Sequence, residues 1–97
     1  MPRGRVLRIK YESRDIGFLD GRLDDGASAA VGWRLTVSSP ENLDDFRDDL
    51  AHGRSVALSL FVVDGRWYAG QAAVGCISDG HLFPIVTLSG QGPLRQT

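Results

Sequence analysis

The segment RSVALSLFVVDGRWYAGQAAV, residues 54–74, decides how the rest of the chain is read. Two apolar runs flank Asp64 and Gly65, a pair favoured in tight type I′ turns, which predicts a hairpin. In the first strand Val56, Leu58, Leu60 and Val62 line one face, and Ala57, Ser59, Phe61 and Val63 line the other. Such a strand is buried on most of both faces. The second strand opens on two rings, Trp67 and Tyr68, and continues through Ala69, Gly70, Gln71, Ala72 and Ala73. Nearly bare backbone after a ring-bearing start implies that something passes close to it. The expectation is that Trp67 is buried beside the small residues, while glycine lets the strand bend for barrel closure. The body that approaches is either another part of this chain or the backbone of a neighbouring subunit.

Alternation dominates on either side of this hairpin. In RVLRIKY, residues 5–11, Leu7, Ile9 and Tyr11 share one face and Arg8 and Lys10 the other, the pattern of a half-buried strand. Residues 16–23 form a short strand that ends in a turn at DDG, residues 24–26. In the next strand Val31, Trp33, Leu35 and Val37 point inward, while Gly32, Arg34 and Thr36 point outward. The period then changes. Leu43, Phe46 and Leu50 fall at helical spacing, with Asp44, Asp45, Asp48 and Asp49 on the remaining sides. Ser39 before Pro40, or Ser38 with Glu41, can cap this helix, and Gly53 stops it. Residues 81–89 give a last strand, in which Pro84 calls for an edge position or a bulge. The order β-β-β-α-β-β-β predicts a mainly β domain over residues 1–97, an antiparallel small sandwich or barrel flanked by one helix.

Length and composition bound the function. The chain has 97 residues, enough for one domain, and its 42% hydrophobic and 24% charged residues suit a soluble globular protein. No apolar run approaches the roughly 20 residues of a membrane helix, and the N-terminus lacks a signal peptide's apolar segment. A single cysteine, Cys76, rules out an internal disulfide and reads as a buried or half-buried free thiol. The net charge is −1, but it is unevenly spread. The first 14 residues hold five basic side chains against Glu12, and residues 15–50 hold nine acids against Arg22, Arg34 and Arg47.

Residues able to carry chemistry do not form a constellation. The helix aspartates cannot wrap one cation, and Asp20, Asp24 and Asp25 fit ordinary turn chemistry. His52 suits the helix's last turn, and His81 with Cys76 lacks zinc-ligand spacing. No phosphate loop, carboxylate pair or nucleophile elbow is present, so the reading is non-enzymatic, without cofactor or metal. Trp33, Trp67 and Tyr68 read as core residues first and as a stacking platform second.

Residues 43–74 followed by IVTLSGQGPL, residues 85–94, resemble the closing half of long-tailed phage tail-tube proteins. In that family a helix precedes a strand, a hairpin leads into an aromatic-x-G-x-A strand, and the chain closes on an S/F-x-G-x-G-P/A-L motif. Here those positions are Tyr68, Gly70 and Ala72, then Ser89, Gly90, Gly92, Pro93 and Leu94. The resemblance implies a barrel or sandwich with a flanking helix. It also implies homo-oligomeric rings, usually hexameric, stacked in a virion tail around a lumen that DNA traverses without specific binding. Contacts with other tail proteins, and synthesis in the host cytoplasm without membrane attachment, follow from the same resemblance. The segment between the two motifs is shorter than in that family, which suits a tail-end or connector relative equally well. Ring contacts join unlike surfaces, and the basic stripe of Arg3, Arg5, Arg8 and Lys10 is paired in this reading with the acidic helix face of Asp44, Asp45, Asp48 and Asp49. Gly70 and Ala72 would let the neighbour's backbone approach. The alternative is a small β-barrel binding module in a cytoplasmic assembly, holding peptide or nucleic acid with its basic strand and rings.

Overall fold

The structure, a computed structural model, describes residues 4–24, 32–79 and 82–97. Arg3, Asp25, Val31 and His81 of the sequence reading lie outside those residues. The elements are β1 (Gly4–Tyr11), β2 (Arg14–Ile16), β3 (Asp20–Asp24), β4 (Arg34–Ser38), α1 (Leu43–His52), β5 (Ser55–Val62), β6 (Trp67–Ser78), β7 (Ile85–Gly90) and β8 (Arg95–Gln96). Strands β1, β3, β4, β7, β6 and β5 neighbour one another antiparallel, and β5 returns to β1, closing a six-stranded barrel. The short β2 continues β3's place beside β1, and β8 continues β7's place beside β6. The protein is thus mainly β with one helix, built as a small closed antiparallel barrel.

Two single-residue insertions bend its walls. Val6 pairs with Val62 but Arg8 pairs with Phe61, so Leu7 is an extra residue in β1. A bulge reverses the inward and outward phase of everything before it. Ile9 therefore points inward as alternation predicts, whereas Val6 takes the buried position expected for Leu7, which is 47% exposed. Gly75 is a second bulge, since Val74 pairs with Leu88 and Cys76 with Thr87. It turns Cys76 out to solvent, correcting the expectation of a buried or half-buried thiol.

Other local readings change too. The strand expected over residues 16–23 breaks at Gly17–Leu19 into β2 and β3, where Gly17's carbonyl accepts from the Glu41 amide at 2.8 Å. The β5–β6 connection is not a two-residue type I′ turn, because Asp64 lacks the positive φ which that turn requires. Val62 accepts from the Gly65 amide at 2.9 Å and donates to Arg66 at 3.0 Å, closing a three-residue loop with Gly65 at φ 84°. Tyr68 reaches back to this loop, its hydroxyl donating to Asp64 at 2.6 Å and holding that carboxyl below its usual range. Pro84 precedes β7 rather than interrupting it, and β7 is an interior strand between β4 and β6. The outer face of β5 is only half-buried at Ala57, Ser59 and Phe61, and Val63 at its end is exposed.

Helix α1 joins the end of β4 to the start of β5 and lies across that end of the barrel. Its N-cap is Asn42, which makes no side-chain cap bond, so neither serine caps it as expected. Asp44 and Asp45 in the first turn complement the helix dipole instead. Gly53 ends it in the left-handed conformation, φ 62°, as its position predicts. Phe46 is fully buried and meets the Tyr11 ring edge-on at 5.3 Å. The inward stripe is Leu43, Phe46 and Asp49, with Leu50 left 39% exposed.

Asp49 accordingly does not belong to an exposed acidic face. It is 3% exposed and accepts a short hydrogen bond from the Tyr11 hydroxyl. Burial, then this bond and the nearby charges of Asp49, Asp45 and Glu12, push the Tyr11 phenol above its ordinary range. A raised folded value favours the protonated phenol in the folded state. The stabilisation is therefore complete below the unfolded value of about 10 and is lost as pH rises through the folded one. Urea unfolding from about pH 8 to 11 should show the wild type losing stability above about pH 10 more steeply than Tyr11→Phe. Parallel curves would mean that this bond carries no alkaline linkage.

Candidate functional site

Two regions gather the residues that the sequence singles out. The first is the end of the barrel opposite α1, organised around Trp33. Its ring is buried, its Nε1 donates to the Gly92 carbonyl at 3.1 Å, and its own carbonyl accepts from the Gly90 amide at 2.8 Å. A Cβ on Gly70 would sit 2.9 Å from the Trp33 ring and 3.2 Å from Leu94, and one on Gly90 would sit 2.3 Å from Nε1. The bare backbone of β6 is therefore filled by a ring of the same chain. Ala72 is fully buried, which corrects the interface assigned to it, whereas Gly70 packs against Trp33 and is half-buried beside the outer groove. Tyr68, Gly90 and Leu94 belong to the same packed end, with Gly92 and Pro93 exposed at its rim.

The second region is the outer face of β1, β5, β6 and β8. Trp67 lies here, half-buried on the outside, and not among the small inward residues as expected. Phe61 packs on it at 5.3 Å, with the Arg8 guanidinium 5.4 Å and the Lys10 ammonium 5.2 Å from its ring centre. Each such contact contributes roughly 0.5–1 kcal/mol at an exposed site. Register then extends the face strand by strand: Lys10 lies opposite Ser59, Ser59 opposite Ala69, and Ala69 opposite Arg95. Small residues on the two middle strands leave a groove of about 560 Å³ floored by Ser59 and Ala69 and walled by Gln71, Gln91, Pro93 and Arg95. Residues 95–97 carry too short an alternation for sequence reading to find β8, so Arg95's place was not foreseeable.

The charge pairing expected between copies is made largely within one chain. Arg5 reaches Asp20 at 3.7 Å, Arg8 reaches Asp15 at 3.0 Å, and Arg14 takes Asp45 at 2.6 Å. Asp48 is held by Arg54 at 2.9 Å and by His52 at 3.2 Å. His52 also lies 2.9 Å from the Asp48 carbonyl, as a last-turn histidine should. These pairs are solvent-exposed, and each contributes about 0–1 kcal/mol. Lys10 and Arg95, like Arg34 and Arg66, have no acidic partner within ion-pair distance among the described residues.

Among the described residues no group of three or more His, Cys, Asp or Glu could hold a metal ion, and no helix is long and apolar enough to cross a membrane. No protein-family model, characterised protein or solved structure matches the chain.

Proposed function

We propose that the protein is a non-enzymatic structural subunit that self-associates into rings, of the kind that builds a phage tail tube or its end. The reading rests on the sequence resemblance, and the helix-flanked closed barrel is the architecture that resemblance implies. The observation that carries it is a pair of unlike surface features on one chain, an exposed apolar knob and a partly apolar hollow. Leu82, 95% exposed, and Phe83 project from the loop before β7. Elsewhere, Leu7, Phe18 and Leu19, together with the charged Arg5, Arg8, Asp15, Asp20 and Glu41, line a groove of about 560 Å³ where β2 and β3 part beside β1. A knob and an unlike hollow suit a heterologous contact, which closes into a ring when the rotation allows. The apolar contact, not charge, then supplies the affinity, since Arg5, Arg8 and Asp45 are already paired and Asp49 is buried. Native mass spectrometry over a concentration series should find a closed oligomer, reduced to monomer in a Leu82→Ser, Phe83→Ser variant. A wild type that stays monomeric at high concentration would overturn the reading.

A second reading, a binding barrel in a cytoplasmic assembly, is favoured by one observation. Cations, rings and a groove share the outer face of β1, β5, β6 and β8.

A further inference from the structure

The groove on β5 and β6 has a composition that ordinary surface does not need. Its floor is kept low by Ser59 and Ala69; Arg95 on β8 lines one bank, and Lys10 on β1 lies one strand beyond Ser59 in the same row, neither cation having an ion-pair partner among the described residues. Three interstrand steps separate the two cations, roughly 14 Å at 4.7–4.9 Å per step. The Lys10 side is extended by Arg8 beside Trp67 and Phe61, which form an aromatic wall one row along. Gln71 and Gln91 supply side-chain amide donors and acceptors at the other end, their backbones joined by a 2.7 Å bond from the Gln91 N–H to the Gln71 carbonyl. Arg66, which donates to Gln96 at 3.4 Å, adds a further positive charge near β8. Two acids lie on β1's side of this face: Asp15, opposite Lys10 in register and bonded to Arg8 at 3.0 Å, and Glu12, which accepts from the Ala57 amide at 3.2 Å.

We propose that this outer groove binds a single-stranded nucleic acid, with its phosphates on Lys10 and Arg95 and its bases laid over Ser59 and Ala69 against the Trp67–Phe61 wall. The proposal rests on the binding-barrel reading and is independent of ring formation. Charge complementarity favours a polyanion, because Lys10 and Arg95 flank the groove with no acid within ion-pair distance among the described residues, while Arg8 is already paired with Asp15. An acidic peptide is the less suited polyanion. Peptides gain affinity on sheets chiefly by adding a strand to a free edge, and here the floor strands β5 and β6 are paired on both sides along the groove. Rings and amides on a sheet face suit unstacked bases, which offer a π-surface and hydrogen-bonding edges. A duplex keeps its bases stacked inside and could use only the cations.

Fluorescence anisotropy with a labelled oligothymidylate of about 12 nucleotides tests this, since single-strand sites span about 4–16 nucleotides per small barrel. The wild type should bind with an affinity that falls as salt rises, and Trp67 emission should be quenched on binding. Lys10→Gln with Arg95→Gln should weaken binding about tenfold or more. It should also flatten the salt dependence by about 1.4 log units per log unit of salt, from about 0.7 for each of two phosphate contacts. Both positions lie on the outer surface, and an unchanged thermal midpoint will show that the double variant is folded. Arg54→Gln, at the α1 end, should leave binding unaltered. Equal weakening by Arg54→Gln, or no weakening by the groove variant, overturns the site. Binding of polyglutamate in place of the oligonucleotide through the same two residues overturns the nucleic acid while leaving a binding barrel. If neither probe binds, both the groove and the binding-barrel reading fall.

Discussion

Gly90→Ala should destabilise the protein far more than a single methyl group would suggest, and removing the Trp33 ring should abolish most of that sensitivity. The added carbon would lie 2.3 Å from Trp33 Nε1 and 2.5 Å from Cδ1, closer than buried atoms can approach. Gly90's backbone is not in the left-handed region, so the penalty is steric rather than conformational. Overpacking of this kind costs typically 1–3 kcal/mol and more where the neighbour cannot move. Trp33 cannot move freely, being wedged between Gly70, Gly90 and Leu94 and tied to the Gly92 carbonyl. Trp33→Ala alone should cost about 3–5 kcal/mol for the lost burial and the cavity left behind. Urea denaturation of both single variants and the double variant then measures their coupling. The double variant should be clearly more stable than the sum of the two losses predicts, because the second methyl enters vacated space. Strict additivity would show that the ring does not occupy the hollow above β6 and β7.

Phe46→Ala should cost on the order of 3–5 kcal/mol, a large share of the roughly 5–15 kcal/mol that a domain of this size possesses. Phe46 is the fully buried residue of α1, and its ring meets Tyr11 edge-on where the barrel end is closed. Removing it also loosens the Tyr11 hydroxyl's hold on Asp49, leaving a buried carboxylate less well satisfied. Asp45→Asn, one residue away, breaks only an exposed pair with Arg14 and should cost about 0–1 kcal/mol. Comparing the two midpoints in denaturant separates core docking from surface charge. Similar losses would mean that α1 is not seated as described.

The broad architecture was legible because alternation survives over most strands. Trp33, Leu35 and Val37, and Val56 through Val62, face inward as their spacing requires. What failed were features that one residue decides. An extra residue at Leu7 or Gly75 inverts a strand's faces, and nothing local marks Leu7 as the insertion. Trp67 and Tyr68 are neighbours, so one must point in and the other out. Choosing Tyr68 for the interior depended on its hydroxyl reaching Asp64. Asp49 reads as surface until Tyr11, 38 residues earlier in the chain, is brought beside it. The same limit hid the outer groove. Lys10, Ser59, Ala69 and Arg95 have no relation in sequence and become a row only through three separate strand registers.

Barrel closure between β1 and β5 has a consequence for the nascent chain. Tyr11 pairs with Leu58 and Val6 with Val62, so β1 has no partner on that side until about fifty further residues have been made. At about 5–20 residues per second this is a wait of roughly 2.5–10 s, during which β1 can engage only β2 and β3. Pairings so distant in sequence place the rate-limiting search late, and a barrel dominated by them folds on a scale of about milliseconds to seconds once the chain is complete. Until β5 is made, the native pairings open to β1 are those with β2 and β3, which leave Val6 and Ile9 without the sheet that covers them in the finished barrel.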